Sequence, residues 1–229
     1  MKISKIKKFV LDLFFPSFCV GCGQEGSLLC RSCQKQIVTI QTPVCPECRR
    51  LSENGGYCSR CCKDKALKGI IVAAYYEEGP VKEMIHNFKY NHALDLKKVL
   101  AHLLVQSVGK NHFDFMTFAP LSSRRLAERG FNQAEILAAA AAQKLKIPCQ
   151  ATLIKTKSTK RQVGLSGQKR RQNLSGVFKI ESSKVESLKG KKILIVDDIT
   201  TTGTTLNECA KVLRAAGAKE VWGLVVSRG

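Results

Sequence analysis

Two adjacent carboxylates and a run of hydroxyl side chains follow one apolar segment of this 229-residue chain. Residues 193–196 are Ile-Leu-Ile-Val, Asp197 and Asp198 come next, and residues 200–205 are five threonines around Gly203. A strand followed by a loop that opens a helix brings together free N–H groups, hydroxyls and the positive end of the helix dipole, which favour a phosphate. Gly203 allows close approach of the backbone, and the carboxylates can accept hydrogen bonds from vicinal sugar hydroxyls or help to hold Mg²⁺. The segment therefore predicts a site for a phosphorylated sugar.

Two common nucleotide-binding patterns do not occur in this segment. The lysine of a P-loop is missing, and so is the GxGxxG fingerprint of dinucleotide-binding folds. The sequence thus excludes an ordinary P-loop NTPase and a dinucleotide-binding domain. The alternative is a buried strand with an acidic turn and a threonine-rich helix cap, which accounts for each piece separately but not for their order.

The second chemically active set is a cysteine pattern near the start of the chain. Nine of the eleven cysteines lie within residues 1–62, and eight form four CxxC pairs: Cys19, Cys22, Cys30, Cys33, Cys45, Cys48, Cys58 and Cys61. Two residues between cysteines let a tight turn aim both sulfurs at one tetrahedral ion, and two such pairs complete a four-thiolate zinc site. We expect two structural Zn²⁺ ions bound by consecutive pairs, while an interleaved pairing also satisfies the spacing.

A disulfide framework is the alternative interpretation of these cysteines. No secretion signal precedes them, and thiols stay reduced in the cytosol, so zinc is favoured. Cys62, directly after the fourth pair, is expected to be a spare thiol.

Composition gives a third signal. A hydrophobic content of 44% and a charged content of 24% are typical of folded globular proteins and exclude wholesale disorder. Thirty-eight Lys and Arg against eighteen Asp and Glu give a net charge of +20. This excess predicts attraction to polyanions, namely nucleic acid, phosphorylated ligands or an anionic membrane surface.

The positive charge is concentrated in residues 136–180, which contain ten Lys or Arg and no Asp or Glu. Within it, residues 157–175 have the composition of a flexible loop. Two functional interpretations compete: a lid that neutralises pyrophosphate, or a groove that tracks a nucleic-acid backbone. The alternative without a function is a solvated basic loop. The basic residues in question are Lys160, Arg161, Lys169, Arg170 and Arg171.

Few aromatic residues lie near this basic stretch. Phe131 and Phe178 are the candidates for stacking on bases, together with Tyr90 if the fold brings it close. Base-specific readout is therefore not supported by the sequence.

Strands alternate with helices after residue 69. We predict strands at 70–76, 113–119, 153–156, 192–196 and 221–226, and helices at 80–90, 94–108, 134–146 and 204–216. The alternation predicts an α/β domain with a mostly parallel sheet flanked by helices, whose ligands bind at the carboxyl ends of the strands. This domain is expected to span residues 69–229, after a short amphipathic helix and the cysteine pairs in residues 1–68. No run of eighteen apolar residues occurs, so no transmembrane segment is predicted and a cytoplasmic location is expected.

The chain resembles the ComF/ComFC family of bacterial competence proteins. Residues 193–206 resemble the phosphoribosyl pyrophosphate (PRPP) motif of type I phosphoribosyltransferases. The cysteine pairs also match, as do HNFKY at 86–90, PLSSRR at 120–125, RGFNQ at 129–133, QVGLS at 162–166 and RRQN at 170–173. The resemblance implies a double zinc-ribbon module joined to a type I phosphoribosyltransferase-like domain. It also implies a role in natural transformation, in which incoming single-stranded DNA is handled with a ComFA-type helicase.

The same resemblance assigns roles residue by residue. Asp197 and Asp198 would meet the ribose hydroxyls as the catalytic pair, and Mg²⁺ would accompany PRPP. The 5′-phosphate would be held by Thr201, Thr202, Gly203, Thr204 and Thr205. The pyrophosphate loop would consist of Leu121, Ser122 and Ser123, with Arg124 or Arg125 adding charge. Residues 157–175 occupy the place of the mobile loop that closes over the ligand in enzymes of this fold.

Two functions remain open at this stage. One is a DNA-handling competence protein that uses the phosphoribosyltransferase fold to bind PRPP. The other is a true phosphoribosyltransferase that transfers ribose 5-phosphate to an acceptor that the sequence does not identify. The fold alone does not decide between them, because chemistry depends on the site.

Overall fold

Four parallel strands form the sheet around which the chain is organised. The computed structural model describes residues 16–90, 93–156 and 176–229. The sheet strands are β1 (Gly69–Tyr75), β2 (Phe115–Phe118), β5 (Lys192–Thr200) and β6 (Glu220–Arg228), in the spatial order β1-β6-β5-β2. A separate antiparallel pair consists of β3 (Leu153–Lys155) and β4 (Phe178–Ile180). The carboxyl ends of the four parallel strands therefore meet at one edge of the sheet.

Helices connect and cover these strands. Their bounds are α1 (Arg31–Lys35), α2 (Val81–Tyr90), α3 (Lys97–Val108), α4 (Ser123–Arg129), α5 (Gln133–Leu145), α6 (Val185–Leu188) and α7 (Thr204–Ala215). Within the three described ranges, no helix has both the length and the apolar character needed to cross a bilayer.

Alternating residues of β5 explain how the sheet is buried on both faces. Ile193 and Ile195 join a cluster with the apolar side of α7 and the β3–β4 pair. Leu194 and Val196 join the opposite cluster, which includes α3 and α5. All four side chains are fully buried, and each such burial contributes about 1.5–3 kcal/mol. The predicted α/β class, with a parallel sheet flanked by helices, is confirmed.

Several element boundaries differ from the prediction. The strand predicted to end at residue 196 continues to Thr200, because β6 continues alongside it and pairs Thr200 with Arg228. Backbone pairing does not depend on apolar side chains, so the carboxylates lie within the strand rather than after it. Helix α3 begins at Lys97, after a separate single turn at Leu94–Leu96. Helix α4 and strand β4 were not predicted.

The cysteine module, defined here as residues 16–62, covers the outer edge of β1. The Ile40 N–H donates to the Ala73 carbonyl at 3.0 Å, and the Tyr75 N–H donates to the Val38 carbonyl at 3.0 Å. Near the start of the strand, the Tyr57 N–H donates to the Lys68 carbonyl at 2.9 Å. An open strand edge offers unpaired backbone groups, and the cysteine module satisfies part of this row.

The link between the cysteine module and the sheet is also anchored to α7. The side-chain oxygen of Asn207 accepts hydrogen bonds from the N–H groups of Ala66 and Leu67, at 3.2 and 3.3 Å. One side chain of the helix therefore fixes two successive backbone groups of the linker.

Gly69→Ala is expected to destabilise the protein by about 1–3 kcal/mol, the usual cost of overpacking. A methyl group at Gly69 would lie 2.5 Å from the Gly55 carbonyl oxygen and 2.6 Å from the Gly56 Cα atom, and both are backbone atoms that cannot rotate away. Denaturant unfolding measures the loss. Lys68→Ala, on an exposed neighbour, is the control and is expected to unfold like wild type; equal stability of the two variants would contradict this packing.

Candidate functional site

Asp197 and Asp198 lie near the carboxyl end of β5 and face different surroundings. The Asp198 residue is 7% exposed, and its Oδ1 atom lies 3.0 Å from the Lys89 ammonium group on α2. The Asp197 Oδ1 atom accepts the backbone N–H of Asp198 at 2.8 Å. The two carboxylates are thus held by an ion pair and a local hydrogen bond, and the pair has the acceptor groups that vicinal hydroxyls require.

The pKa of Asp197 is raised to about 7. Burial is the main cause, and the negative charge of Asp198 adds to it, while the Asp198 N–H, Lys89 and Lys155 act in the opposite direction. The folded state therefore holds this proton more tightly than the unfolded chain. The resulting stability is present at acid pH and is lost as the pH rises through about 7.

The loop after β5 leads into α7 through Gly203. Gly203 has a φ of +73°, in the left-handed region that favours glycine, and caps α7 without a side chain. A Cβ atom there would lie 2.7 Å from the Ile70 Cδ1 atom. The hydroxyls of Thr202 and Thr204 lie 2.7 Å apart. The N–H groups of the first turn of α7 thus lie beside two hydroxyls. No side chain caps these N–H groups, because the N-cap residue is glycine.

Other contacts fix the path of this loop. The Gly203 N–H donates to the Thr200 hydroxyl at 3.1 Å, and the Arg228 Nε–H donates to the Thr201 carbonyl at 2.9 Å. A cavity of about 590 Å³ opens beside it, between residues 202–204 and the second half of the cysteine module. Five basic and three acidic side chains line this cavity, which gives it a positive excess: Arg60, Lys63, Lys65, Lys211 and Arg228 against Glu47, Asp64 and Glu208.

The residues predicted to bind pyrophosphate follow β2, but only part of them forms a loop. Ser122 is buried and caps α4 by accepting the Arg125 N–H at 3.5 Å, so Ser123, Arg124 and Arg125 belong to the first helical turn. Arg124 pairs with Glu128 at 2.9 Å on the exposed side of this helix. Leu121 precedes the cap and lies outside any helix or strand.

Lys89 and Lys155 both act electrostatically on the carboxylates. Lys155 belongs to the basic stretch of residues 136–180, for which a lid or a nucleic-acid groove is predicted, whereas no role is predicted for Lys89 from the sequence. The charges of Asp197 and Arg125 both act on Lys155, whose pKa is lowered mainly by burial and then by Arg125. Lys89 was noted only as part of a motif. A lysine that precedes a buried carboxylate by about a hundred residues gives no local signal, because only the fold brings the two together.

The basic residues predicted to form a lid or a DNA contact lie outside the described residues. These are Lys160, Arg161, Lys169, Arg170 and Arg171. Of the three aromatic candidates, Phe178 is buried and Phe131 packs edge-on against the buried Phe88 ring, with centroids 6.2 Å apart. Tyr90 is 55% exposed.

The eight paired cysteines form two separate clusters. Cys19, Cys22, Cys30 and Cys33 make the first, and Cys45, Cys48, Cys58 and Cys61 make the second, with all sulfurs of a cluster within 4.8 Å of one another. The Cys22 and Cys30 sulfurs are 3.7 Å apart, as are those of Cys48 and Cys58. Four sulfurs about 2.3 Å from a tetrahedral ion lie about 3.8 Å apart, so both clusters fit Zn²⁺. Consecutive pairing is confirmed.

In each cluster, backbone N–H groups favour the thiolate form of one cysteine. The pKa of another is raised to about 12, mainly by burial for Cys33 and mainly by a neighbouring sulfur for Cys61. Burial acts to raise the pKa of Cys19, but the N–H groups of Cys30, Gly21 and Cys22 lower it to about 6. Cys45 shows the same balance, with a pKa of about 6. Cys62 lies outside both clusters, and its thiol donates to the Ser59 carbonyl at 3.4 Å.

Two family models match the chain. Residues 10–62 match a double zinc ribbon domain, and residues 132–227 match a phosphoribosyl transferase domain. The expected double zinc ribbon with two four-cysteine zinc sites, and the phosphoribosyltransferase-like domain, are both confirmed.

Similar proteins include competence and DNA utilization proteins of other bacteria. The chain is 35% identical to competence protein F of Haemophilus influenzae, an alignment that covers 92% of this chain and 97% of that protein. It is 33% identical to competence protein ComFC of Streptococcus pneumoniae, over 86% of each chain. It is 29% identical to DNA utilization protein YhgH of Escherichia coli, over 93% of this chain and 98% of the relative.

Cys22→Ser is expected to reduce the zinc content from two ions per chain to one, because it removes a ligand of the first cluster only. Metal analysis of purified protein measures the content. Cys62→Ser is the matched control and is expected to keep both ions. A variant C22S that keeps both ions, or a C62S that loses one, would contradict the ligand assignment.

Proposed function

Because the chain belongs to the ComF/ComFC family of competence proteins, we propose that it handles single-stranded DNA during natural transformation and binds PRPP in its phosphoribosyltransferase domain. The observation that carries the proposal is the arrangement at the end of β5. Two carboxylates near the end of the strand precede a hydroxyl-rich loop that begins a helix without a capping side chain. This order fits a ribose that carries a phosphate.

The carboxylates would bind the ribose. The Lys89 ion pair uses the Oδ1 atom of Asp198, so the Oδ2 atom can accept a hydrogen bond from one ribose hydroxyl. Asp197, when ionised, would accept from the neighbouring hydroxyl. Lys89 balances the charge of the pair, which lowers the electrostatic cost of keeping two carboxylates side by side near the core.

The phosphates would lie on either side of the ribose. Residues 201–205 would hold the 5′-phosphate through N–H groups and hydroxyls at the start of α7. The pyrophosphate and its Mg²⁺ would lie near the segment from Leu121 to Arg125 after β2. Burial lowers the pKa of Lys155, and Arg125 lies close enough for its charge to lower this pKa further. The two positive charges of Arg125 and Lys155 favour the pyrophosphate end of the ligand.

Single-stranded DNA would bind through the positive charge of the protein. The net charge of +20 and the acid-free stretch of residues 136–180 support a contact with the phosphate backbone. We propose that Lys160, Arg161, Lys169, Arg170 and Arg171 take part, as a DNA contact or as a lid over PRPP. Family membership supports a ComFA-type helicase as the partner. Cysteines that serve as zinc ligands suit a reducing compartment, which supports a cytoplasmic location.

Phosphoribosyl transfer is the second candidate function. Two adjacent carboxylates, of which Asp198 is buried, and a complete phosphate loop are more than a DNA-binding scaffold requires. In such a reaction a nucleophile would attack the anomeric carbon of PRPP while the bond to pyrophosphate breaks, and pyrophosphate would leave with Mg²⁺. Release of pyrophosphate on addition of an acceptor would favour this function over binding alone.

Binding of PRPP with Mg²⁺ is expected to weaken about tenfold between pH 8 and pH 6, because Asp197 takes up a proton through its pKa of about 7 and loses acceptor strength. Calorimetric titration measures the affinity. Asp197→Asn is expected to bind more weakly at pH 8 and to show a smaller change with pH.

Two further variants test the specificity of that result. Asp198→Asn is expected to lose binding, whereas Asp95→Asn, on a side chain that is 80% exposed, is expected to bind like wild type. Absence of PRPP binding to the wild-type protein at pH 8 would overturn the PRPP part of the proposal.

Replacement of Lys160, Arg161, Arg170 and Arg171 by Gln is expected to weaken binding of single-stranded DNA and to lower the slope of log affinity against log salt by about 3. The loss of four phosphate contacts accounts for this change. Fluorescence anisotropy at several salt concentrations measures it.

A matched variant removes the same charge elsewhere. Four exposed lysines, Lys98, Lys110, Lys191 and Lys219, are replaced by Gln. This variant is expected to keep nearly the wild-type slope. Equal slopes for both variants would assign DNA binding to the net charge rather than to residues 157–175.

A further inference from the structure

An exposed aromatic ring directly follows the lysine that pairs with Asp198. Tyr90 is the last residue of α2, directly after Lys89, whose ammonium group contacts Asp198. Tyr90 is 55% exposed, while Phe88, two residues earlier, is fully buried in the core. The last three residues of α2 therefore have different surroundings: Phe88 lies in the core, Lys89 contacts Asp198, and the Tyr90 ring is exposed.

Two flat, nitrogen-containing side chains hold this ring in place. The His86 ring lies one helical turn earlier, with its centroid 5.1 Å from that of Tyr90 and a tilt of 47°. The Arg129 guanidinium lies 5.1 Å from the Tyr90 ring centroid and donates to the Tyr90 hydroxyl at 3.2 Å. Together, His86, Tyr90 and Arg129 form what is called here the aromatic platform.

Arg129 is itself fixed by a buried partner. Its Nη1 group donates to the Oε1 atom of Gln133 at 2.9 Å, and Gln133 is only 2% exposed. The Gln133 Nε2 group is buried with no hydrogen-bond acceptor among the described residues. A buried amide with one unsatisfied donor is unfavourable, and the hydrogen bond that its oxygen accepts from Arg129 offsets part of this cost.

The charge of Arg129 remains available to a ligand. Its contacts with Tyr90 and Gln133 are with neutral groups, and within residues 16–90, 93–156 and 176–229 no carboxylate forms a salt bridge with it. A guanidinium that is held flat and is not neutralised stacks well on an aromatic ligand and attracts a phosphate next to it.

We propose that the aromatic platform binds a nucleobase, with Tyr90 as the stacking surface. This inference rests on the proposed DNA-handling function and adds the place where a base is held. Every base has a π face, so stacking on Tyr90 would be tolerant of sequence, as general handling of single strands requires. It also gives a shared role to the HNFKY and RGFNQ motifs, which provide Tyr90 and Arg129 from two different helices.

The base could come from a DNA strand or be free in solution. The positive charge of Arg129 next to the ring favours a base that carries phosphates, which is a nucleotide unit of a strand. A free base would use the same ring. Two probes separate these sources: a dodecamer of thymidylate compared with an abasic dodecamer of equal charge, and free 2-aminopurine, whose fluorescence is quenched on stacking.

Wild-type protein is expected to bind the thymidylate dodecamer more tightly than the abasic one. Tyr90→Leu, which keeps an apolar side chain, is expected to weaken thymidylate binding on the order of 5- to 50-fold and to leave abasic binding unchanged. Tyr90→Phe keeps the ring and is expected to bind like wild type. Tyr75→Leu, at another exposed tyrosine, is the control and is expected to have no effect.

The outcomes separate this inference from the proposed function. If the wild-type protein binds both dodecamers equally and Tyr90→Leu changes neither affinity, the proposal that the aromatic platform binds a base is wrong. The DNA-handling proposal is unaffected by that result. If neither dodecamer binds, the DNA-handling proposal fails. In that case, quenching of free 2-aminopurine that is lost in Tyr90→Leu assigns the platform to a free base, and no quenching overturns the platform as well.

Discussion

A parallel sheet with both faces buried still has two open edges, and one of them depends here on metal. The edge of β1 is paired with segments of the cysteine module near Val38, Ile40 and Tyr57. A module of 47 described residues, 16–62, is too small to hold its shape by apolar burial alone, and the two four-cysteine zinc sites replace the missing core. The sheet that carries the carboxylates and the Gly203 loop is therefore covered at one edge by a module that the two zinc sites hold together.

The second constraint is electrostatic and acts near the carboxyl end of β5. Two carboxylates near the end of a buried strand repel each other. The positive charges of Lys89 from α2 and Lys155 from β3 offset this repulsion. Neither lysine is close to the carboxylates in sequence. The site thus draws on elements from both faces of the sheet, and its electrostatic balance is a property of the tertiary fold rather than of one motif.

Local features of the sequence predicted much of this arrangement. Contacts between residues far apart in sequence were not predicted. The β5 strand, the Gly203 loop and the start of α7 followed from an apolar run, threonines and one glycine, because these residues act on their own backbone. The cysteine clusters followed from spacing, since two residues between ligands limit the geometry. Helix α4 was missed because its first residues resemble a loop, and β4 was missed because this three-residue strand depends on its pairing with β3. The contacts of Lys89 and Arg129 depend on packing that no short window of sequence contains.

The hydrogen bonds from Ala66 and Leu67 to Asn207 determine how the two parts of the protein can move. The linker between them is hydrogen-bonded to the helix that begins after Gly203, so it is not a free hinge. One wall of the cavity belongs to the second zinc site, and residues 202–204 form the other. The distance between these two walls is consequently fixed before a ligand binds. The entropy of bringing these two walls together is lost when the chain folds rather than when a ligand binds, which makes this side of the site preorganised.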